Sequence, residues 1–447
     1  MLRRDPSLAA AIAKAAHPLT GGAGDYTPLL DIVGDANYVL IGEATHGTHE
    51  FYEERARITQ RLILEKGFNA VAVEADWPDA YRVNRFVRDQ GDDTDAVQAL
   101  DGFQRFPSWM WRNTDVVNFI TWLRSYNDGL EPDDKVGFYG LDLYSLFTSM
   151  DEVLRYLEQV DPDGAAAARS RYACFDHYQD DSERYAYAAG SGTSESCENA
   201  VIAQLQALQQ RALEYMQHDT ANAHDAYFYA QQNARLVINA EAYYRTMFRG
   251  RVSSWNLRDQ HMADTLDALA GHVGARTGTL AKVVVWEHNS HIGDARATEV
   301  GKLGEWNVGQ LARERYGDQT RLIGFSTYDG SVTAASDWGG PAERKQVRPA
   351  LPDSYESVFH ETGLERFMLD LRSDSEARRA LMERRLQRAI GVLYRPQTER
   401  HSHYFHAQLP QQFDVMIHVD RTCAVHPLER VGRPTGGEAP ETFPAGV

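Results

Sequence analysis

Val39-Leu40-Ile41-Gly42-Glu43-Ala44-Thr45-His46-Gly47 passes from an apolar, β-branched run straight into a turn bracketed by two glycines. The run reads as a buried strand, and the turn at its carboxyl end carries one carboxylate and one imidazole. Open α/β sheets hold their reactive groups in the crevice beyond the carboxyl ends of the strands, which is where Glu43 and His46 project on this reading. A Glu and a His three positions apart can share one proton, so this stretch predicts both a fold class and a site of proton chemistry.

Five further short apolar runs, at 70–73, 135–140, 282–286, 321–325 and 414–418, resemble the one at 38–41, and helical periodicity separates each from the next. The alternation predicts an α/β protein with a mostly parallel central sheet flanked by helices. The helix after the first strand carries Phe51, Ile58, Leu62 and Ile63 on one face and Glu53, Glu54, Arg57 and Arg61 on the other, and Gly67 ends it. From 143 to 271 the strand signal gives way to long helical stretches, notably at 198–218 and 226–248, and the part at 180–196 is expected to be a loop between helices. This divides the chain into a first part of the α/β body (1–142), an inserted all-helical subdomain (143–271), a second part of the body (272–429) and a tail (430–447). The insert is expected either to roof a cleft or to be a purely structural bundle. The tail has too little apolar content to pack and is expected to be mobile.

With 447 residues and 43% apolar content the chain can bury one large core or two smaller ones. Its 64 acidic against 46 basic residues give a formal charge of -18, which repels phosphate backbones and argues against a nucleic-acid partner. Cys174, Cys197 and Cys423 form no close-spaced ligand pattern, and an odd count describes no disulfide framework, so a reducing cytoplasm is the expected setting. The first residues resemble a signal peptide only superficially, because Asp5 and Lys14 interrupt the apolar run. No stretch approaches the ~18 apolar residues of a membrane-spanning helix.

Other strand ends also deliver polar groups. The second runs Val71-Ala72-Val73-Glu74-Ala75-Asp76-Trp77, the third ends at Asp142, and the fourth runs Val285-Trp286-Glu287-His288-Asn289-Ser290-His291, with two imidazoles at i and i+3. Before the fourth strand, Ser253-Ser254-Trp255-Asn256-Leu257-Arg258-Asp259 supplies a guanidinium at an expected helix start, with Asn256 as its cap. Each has a plainer alternative. A strand-end histidine more often satisfies backbone groups than catalyses, Glu74 can simply pair with Arg55 or Arg258, and Asp76 and Asp142 can cap the turns that follow them.

Missing motifs narrow the chemistry. There is no Gly-x-Ser-x-Gly elbow, no Walker loop and no Gly-x-Gly-x-x-Gly turn. His49-Glu50-Phe51-Tyr52-Glu53 starts like a zincin helix but lacks the second histidine. Water itself is left as the expected nucleophile.

The blocks Gly42-Glu43-Ala44-Thr45-His46-Gly47-Thr48-His49-Glu50-Phe51, Trp286-Glu287-His288-Asn289-Ser290-His291, and Tyr394-Arg395-Pro396 to Pro427-Leu428-Glu429 resemble the erythromycin esterase family. The resemblance implies that His46 is the general base activating water for ester or lactone hydrolysis. It also implies that Glu43, Glu74, Arg55, Arg258 and His288 complete the site, and that no metal or cofactor is needed. The C-terminal block around His403 and His418 looks more like the broad bacterial branch than the antibiotic-resistance enzymes. The expected partner is therefore a small ester or lactone, with His291, Asn289, Trp77, Trp255 and Asp142 expected to contact it. Two alternatives remain at this stage: a metal-dependent hydrolase using the same Glu and His cluster, and a non-enzymatic binder of haem or another small aromatic ligand.

Overall fold

The computed structural model describes residues 6–178, 181–193, 195–217 and 223–429. The tail at 430–447 and the first five residues lie outside the described residues.

All six expected strands form, and they lie side by side as one parallel block. Its order is Val415–Thr422, Thr320–Ala334, Tyr38–Ile41, Val283–Trp286, Ala70–Asp76 and Gly137–Asp142. Residues of the central strands alternate between two cores. Val39, Ile41, Val284 and Trp286 pack on Phe51, Ile58 and Leu62, while Leu40, Val283 and Val285 pack on Met262, Leu266 and Tyr144 of the opposite layer. Burial on both faces explains why these strands read as continuous apolar runs, each fully buried aliphatic side chain contributing about 1.5–3 kcal/mol.

Antiparallel strands complete the nine-stranded sheet: Arg366–Asp370 beside Val415–Thr422, His17–Pro18 beyond it, and Glu343–Val347 against the long strand Thr320–Ala334. Glu343–Val347 carries no apolar pattern to read, because it is an exposed, charged edge strand. Arg385–Arg388 and Tyr404–Ala407 form a separate two-stranded sheet. The helix after the first strand spans His49–Lys66 and ends where expected, at Gly67, whose φ of 70° suits a residue without Cβ.

The region between the third and fourth parallel strands is helical, from Leu146–Val160 to Arg251–Thr277. Three expectations need correction here. The expected loop at 180–196 contains the helix Ser182–Gly190, whose first turn Asp181 caps and whose buried Tyr185 donates to Glu241 at 2.6 Å. Asn256 is no cap, because the helix begins at Arg251 and the Asn256 amide instead bonds the loop at Gly304 and Trp306. Cys174 and Cys197 are joined in a disulfide closing a separation of 23 residues, so the three cysteines are not all free, and their count gives no support to a reducing setting. A closed loop of this length is worth about 3 kcal/mol through the unfolded chain. Reduction is expected to lower the urea midpoint accordingly, and an unchanged midpoint would show that the bond constrains nothing. Among the described residues, no helix is long and apolar enough to cross a membrane.

Candidate active site

Parallel pairing puts the carboxyl ends of four strands at one edge, and the polar groups emerge there. Glu43 and His46 follow Tyr38–Ile41, Glu74 lies in Ala70–Asp76, Asp142 ends Gly137–Asp142, and His288 follows Val283–Trp286. The register of Ala70–Asp76 against its neighbour shifts between Val73 and Asp76, a local irregularity that re-aims side chains at the strand end. The glycines of the opening motif are there for clearance. A Cβ on Gly42 would collide with the Asn289 amide, and one on Gly47 with the Thr333 carbonyl. Gly47→Ala is therefore expected to cost about 1–3 kcal/mol, measured by urea unfolding, as strand Thr320–Ala334 is pushed away.

His46 is fully buried, with its Nδ1 2.9 Å from Glu43 Oε1. The other Glu43 oxygen lies 2.8 Å from Arg55 Nη2, in an ion pair poorly aligned for a hydrogen bond. Arg55 sits over the rings of Tyr52 and Trp286, at 4.4 and 5.1 Å from their centroids. With a carboxylate at Nδ1, that nitrogen carries the proton, leaving the Nε2 lone pair as the basic position. Nε2 has no hydrogen-bond partner.

His288 has the opposite tautomer. Its Nδ1 accepts from the Ser290 N–H at 3.2 Å and lies 2.8 Å from Ser290 Oγ, so in the neutral ring the proton sits on Nε2. That Nε2 is also buried and unpartnered, and the His46 and His288 ring centroids are 4.8 Å apart. Burial, and then the neighbouring His46, push the His288 pKa well below the usual imidazole range, so the ring stays neutral. The two neighbouring rings thus carry one unpartnered lone pair and one unpartnered N–H.

Glu74 ties this pair to Arg258. One oxygen accepts from the His288 backbone N–H at 2.8 Å, and the other from Arg258 Nη2 at 2.7 Å. Burial would raise the Glu74 pKa, but His291, Arg258 and His46 override it and hold the carboxyl well below its usual range. Arg258 also grips Asp142 through Nε (3.0 Å) and Nη2 (2.6 Å), and its Nη1 lies 3.0 Å from His291 Nε2. Asp259 holds the other His291 nitrogen at 2.9 Å. Burial disfavours the His291 cation, but Asp259 and Glu74 outweigh it and raise the pKa. The Arg258 contact nonetheless requires the Nε2 lone pair, so the arrangement seen is that of the neutral ring.

The pattern described as Erythromycin esterase matches residues 63–422, most of the chain. The chain belongs to the erythromycin esterase family. Erythromycin esterase type II of Escherichia coli is 25% identical over 323 residues, covering 69% of this chain and 73% of that one. Among solved structures, a Bacillus cereus protein superposes with TM-score 0.78 at 20% identity, covering 96% of this chain and 100% of that one. A succinoglycan biosynthesis protein gives 0.75 at 23% (94% and 98%), and a variant of the erythromycin esterase EreC in its open conformation gives 0.65 at 17% (90% and 94%). At these identities the solved structures speak for the fold. The matched segment begins after Glu43, His46 and Arg55.

The other residues singled out from sequence fall into two groups. Asp142 and His291 join the Arg258 cluster, and Trp255 stacks on His291 at 4.4 Å and 6°. Trp255 and Ser290 also line a cavity of about 230 Å³ with Thr298, Glu305, Asn307 and Tyr404. Asn289 is occupied elsewhere, both ends of its amide being bonded to the backbone of Phe325. Trp77 packs among the rings of Tyr81, Tyr139, Phe228 and Tyr229. Asp76 takes the Ser145 N–H and pairs with Arg105. Sequence reading passed over Asp259, Ser290 and Glu287. Nothing in the linear order indicates that Asp259, one step along a helix from Arg258, reaches the other nitrogen of the same imidazole.

Proposed function

We propose that this family member hydrolyses a carboxylic ester or lactone by general-base attack of water. The observation that carries the reading is the pair of buried, unpartnered Nε2 atoms, one a lone pair on His46 and the other an N–H on His288. Water between them gives its proton to His46 Nε2 as its oxygen bonds to the acyl carbon. Glu43 steadies the imidazolium that forms, as the carboxylate does in a catalytic triad. The carbonyl oxygen gains negative charge and takes a hydrogen bond from His288 Nε2–H, which is effective in a water-poor site. The tetrahedral intermediate then expels the alkoxide, which is protonated to the alcohol.

Glu43 and Glu74 each hold a guanidinium, which occupies the carboxylates that a metal-dependent reading would use as ligands. Among the described residues, no group of three or more His, Cys, Asp or Glu side chains is arranged to hold a metal ion. The adjoining cavity, at about 230 Å³, falls below the ≈300–1,000 Å³ of ordinary ligand pockets, which gives the haem-binding reading no support.

The test is acid release from a panel of alkyl esters and macrocyclic lactones, erythromycin included. His288→Ala is expected to lower kcat by about 10²–10³-fold with a smaller change in KM, as loss of an oxyanion donor does. A panel with no substrate, or a variant at the parent rate, would sink the reading.

A further inference from the structure

Glu287 stands apart from every other carboxyl of the cluster. It is buried, and neither of its oxygens has a hydrogen-bond partner. Its neighbours at the same strand ends are all engaged: Glu43 by Arg55 and His46, Glu74 and Asp142 by Arg258, and Asp259 by His291. The ladder continues past Trp286 through the Glu287 N–H to Ile41 O, so by alternation Glu287 faces the same layer as Val283 and Val285. That is the layer from which Arg258 reaches in.

Charge counting assigns Glu287 its state. Glu74, Asp142, Asp259 and Glu287 surround one guanidinium and one imidazole, so at most two positive charges face four buried carboxyls. Glu74 and Asp142 share the Arg258 cation, Asp259 takes hydrogen bonds from His291 and the Val308 N–H, and Glu287 has no partner of either kind, so a proton is held most cheaply there. Burial, and then Glu74 and Asp259, push its pKa well above the carboxylate range, whereas Glu74 is held well below it. Two neighbouring acids driven apart in this way is the pattern by which sites separate a proton donor from an ionised partner.

We propose that Glu287 is a carboxylic acid in the working enzyme and is the proton donor to the departing alcohol; the donor role rests on the esterase reading above. As the acyl C–O bond breaks, the alkoxide oxygen takes the Glu287 proton and leaves as the neutral alcohol, with Glu287 as carboxylate. The proton that His46 took from water then restores the acid. Water, ester, acid and alcohol balance with no further reactant.

Two measurements judge the proposal. Infrared difference spectra of parent and Glu287→Gln at pH 8 are expected to contain the C=O stretch of a protonated carboxylic acid in the parent only. A parent without that band overturns the assignment whatever its activity. The second compares an aryl ester, whose leaving group departs without a proton, with an alkyl ester of the same acid. In Glu287→Gln the alkyl-to-aryl ratio of kcat is expected to fall about 100-fold, and Glu287→Asp to recover part of it. An unchanged ratio, with both rates reduced equally, makes Glu287 a structural residue and overturns the donor role. A parent that cleaves neither ester overturns the esterase reading and the donor role with it, while the infrared band still judges the protonation state alone. Circular dichroism of each variant separates misfolding from lost chemistry.

Discussion

His46→Asn is expected to lower kcat/KM about 10²–10⁴-fold on any ester the enzyme cleaves, while leaving the urea midpoint near that of the parent. Only the base is lost, because the ring's Nε2 bonds nothing in the fold and its Nδ1 partner, Glu43, keeps Arg55. Glu43→Gln should fall between the two, since a neutral amide still orients the ring but no longer steadies its cation. The pH profile adds an independent check. A base must be neutral to act, so activity is lost on the acid side. His288, with its pKa pushed well below the imidazole range, stays neutral there and adds no second proton. The acid limb of log kcat/KM should therefore have unit slope. A His46→Asn rate above a tenth of the parent's would remove His46 from the base role, and a slope of two would mean that a second group must also be deprotonated.

Arg258→Met should be the most damaging substitution for stability, at about 3–5 kcal/mol, because it leaves Glu74 and Asp142 buried without their shared cation. The penalty has a pH signature. Glu74 is depressed in the folded parent, so it contributes stability that is present above its unfolded pKa of ~4.3 and is lost as pH falls through the folded value. His291 and then Arg258 hold Glu74 down, so without Arg258 part of that depression goes and the gap between parent and variant is widest near pH 7. It narrows below ~4.3, where the unfolded carboxyl is already protonated. Urea unfolding at pH 7 and pH 4 measures both. Equal stability at pH 7 would mean that the cluster is a site of solvated charges after all.

Much of this protein is legible in linear order because buried parallel strands must be apolar on both faces. Six such runs, from Tyr38–Ile41 to Val415–Thr422, are the six strands of the parallel block. What lies at sheet edges is not legible in this way: Glu343–Val347 is charged and exposed and has no period to detect. Helix boundaries were similarly obscured, since the buried Tyr185 that makes Ser182–Gly190 a packed helix looks from sequence like one of several loop tyrosines.

For the site, sequence alone determined which strand ends carry acids, imidazoles and guanidinium, because chain chemistry and strand pattern are local properties. Only the tertiary structure decided their partners and orientations. Asn289 and Trp77 belong to the same motifs as His288 and Glu74, yet the fold turns one into a backbone clamp and packs the other among aromatic rings. The tautomers of His46 and His288 differ because one ring meets a carboxylate and the other a backbone N–H. Protonation, pairing and orientation depend on which groups crossover connections bring together from positions tens to hundreds of residues apart, and that proximity is a property of the folded sheet.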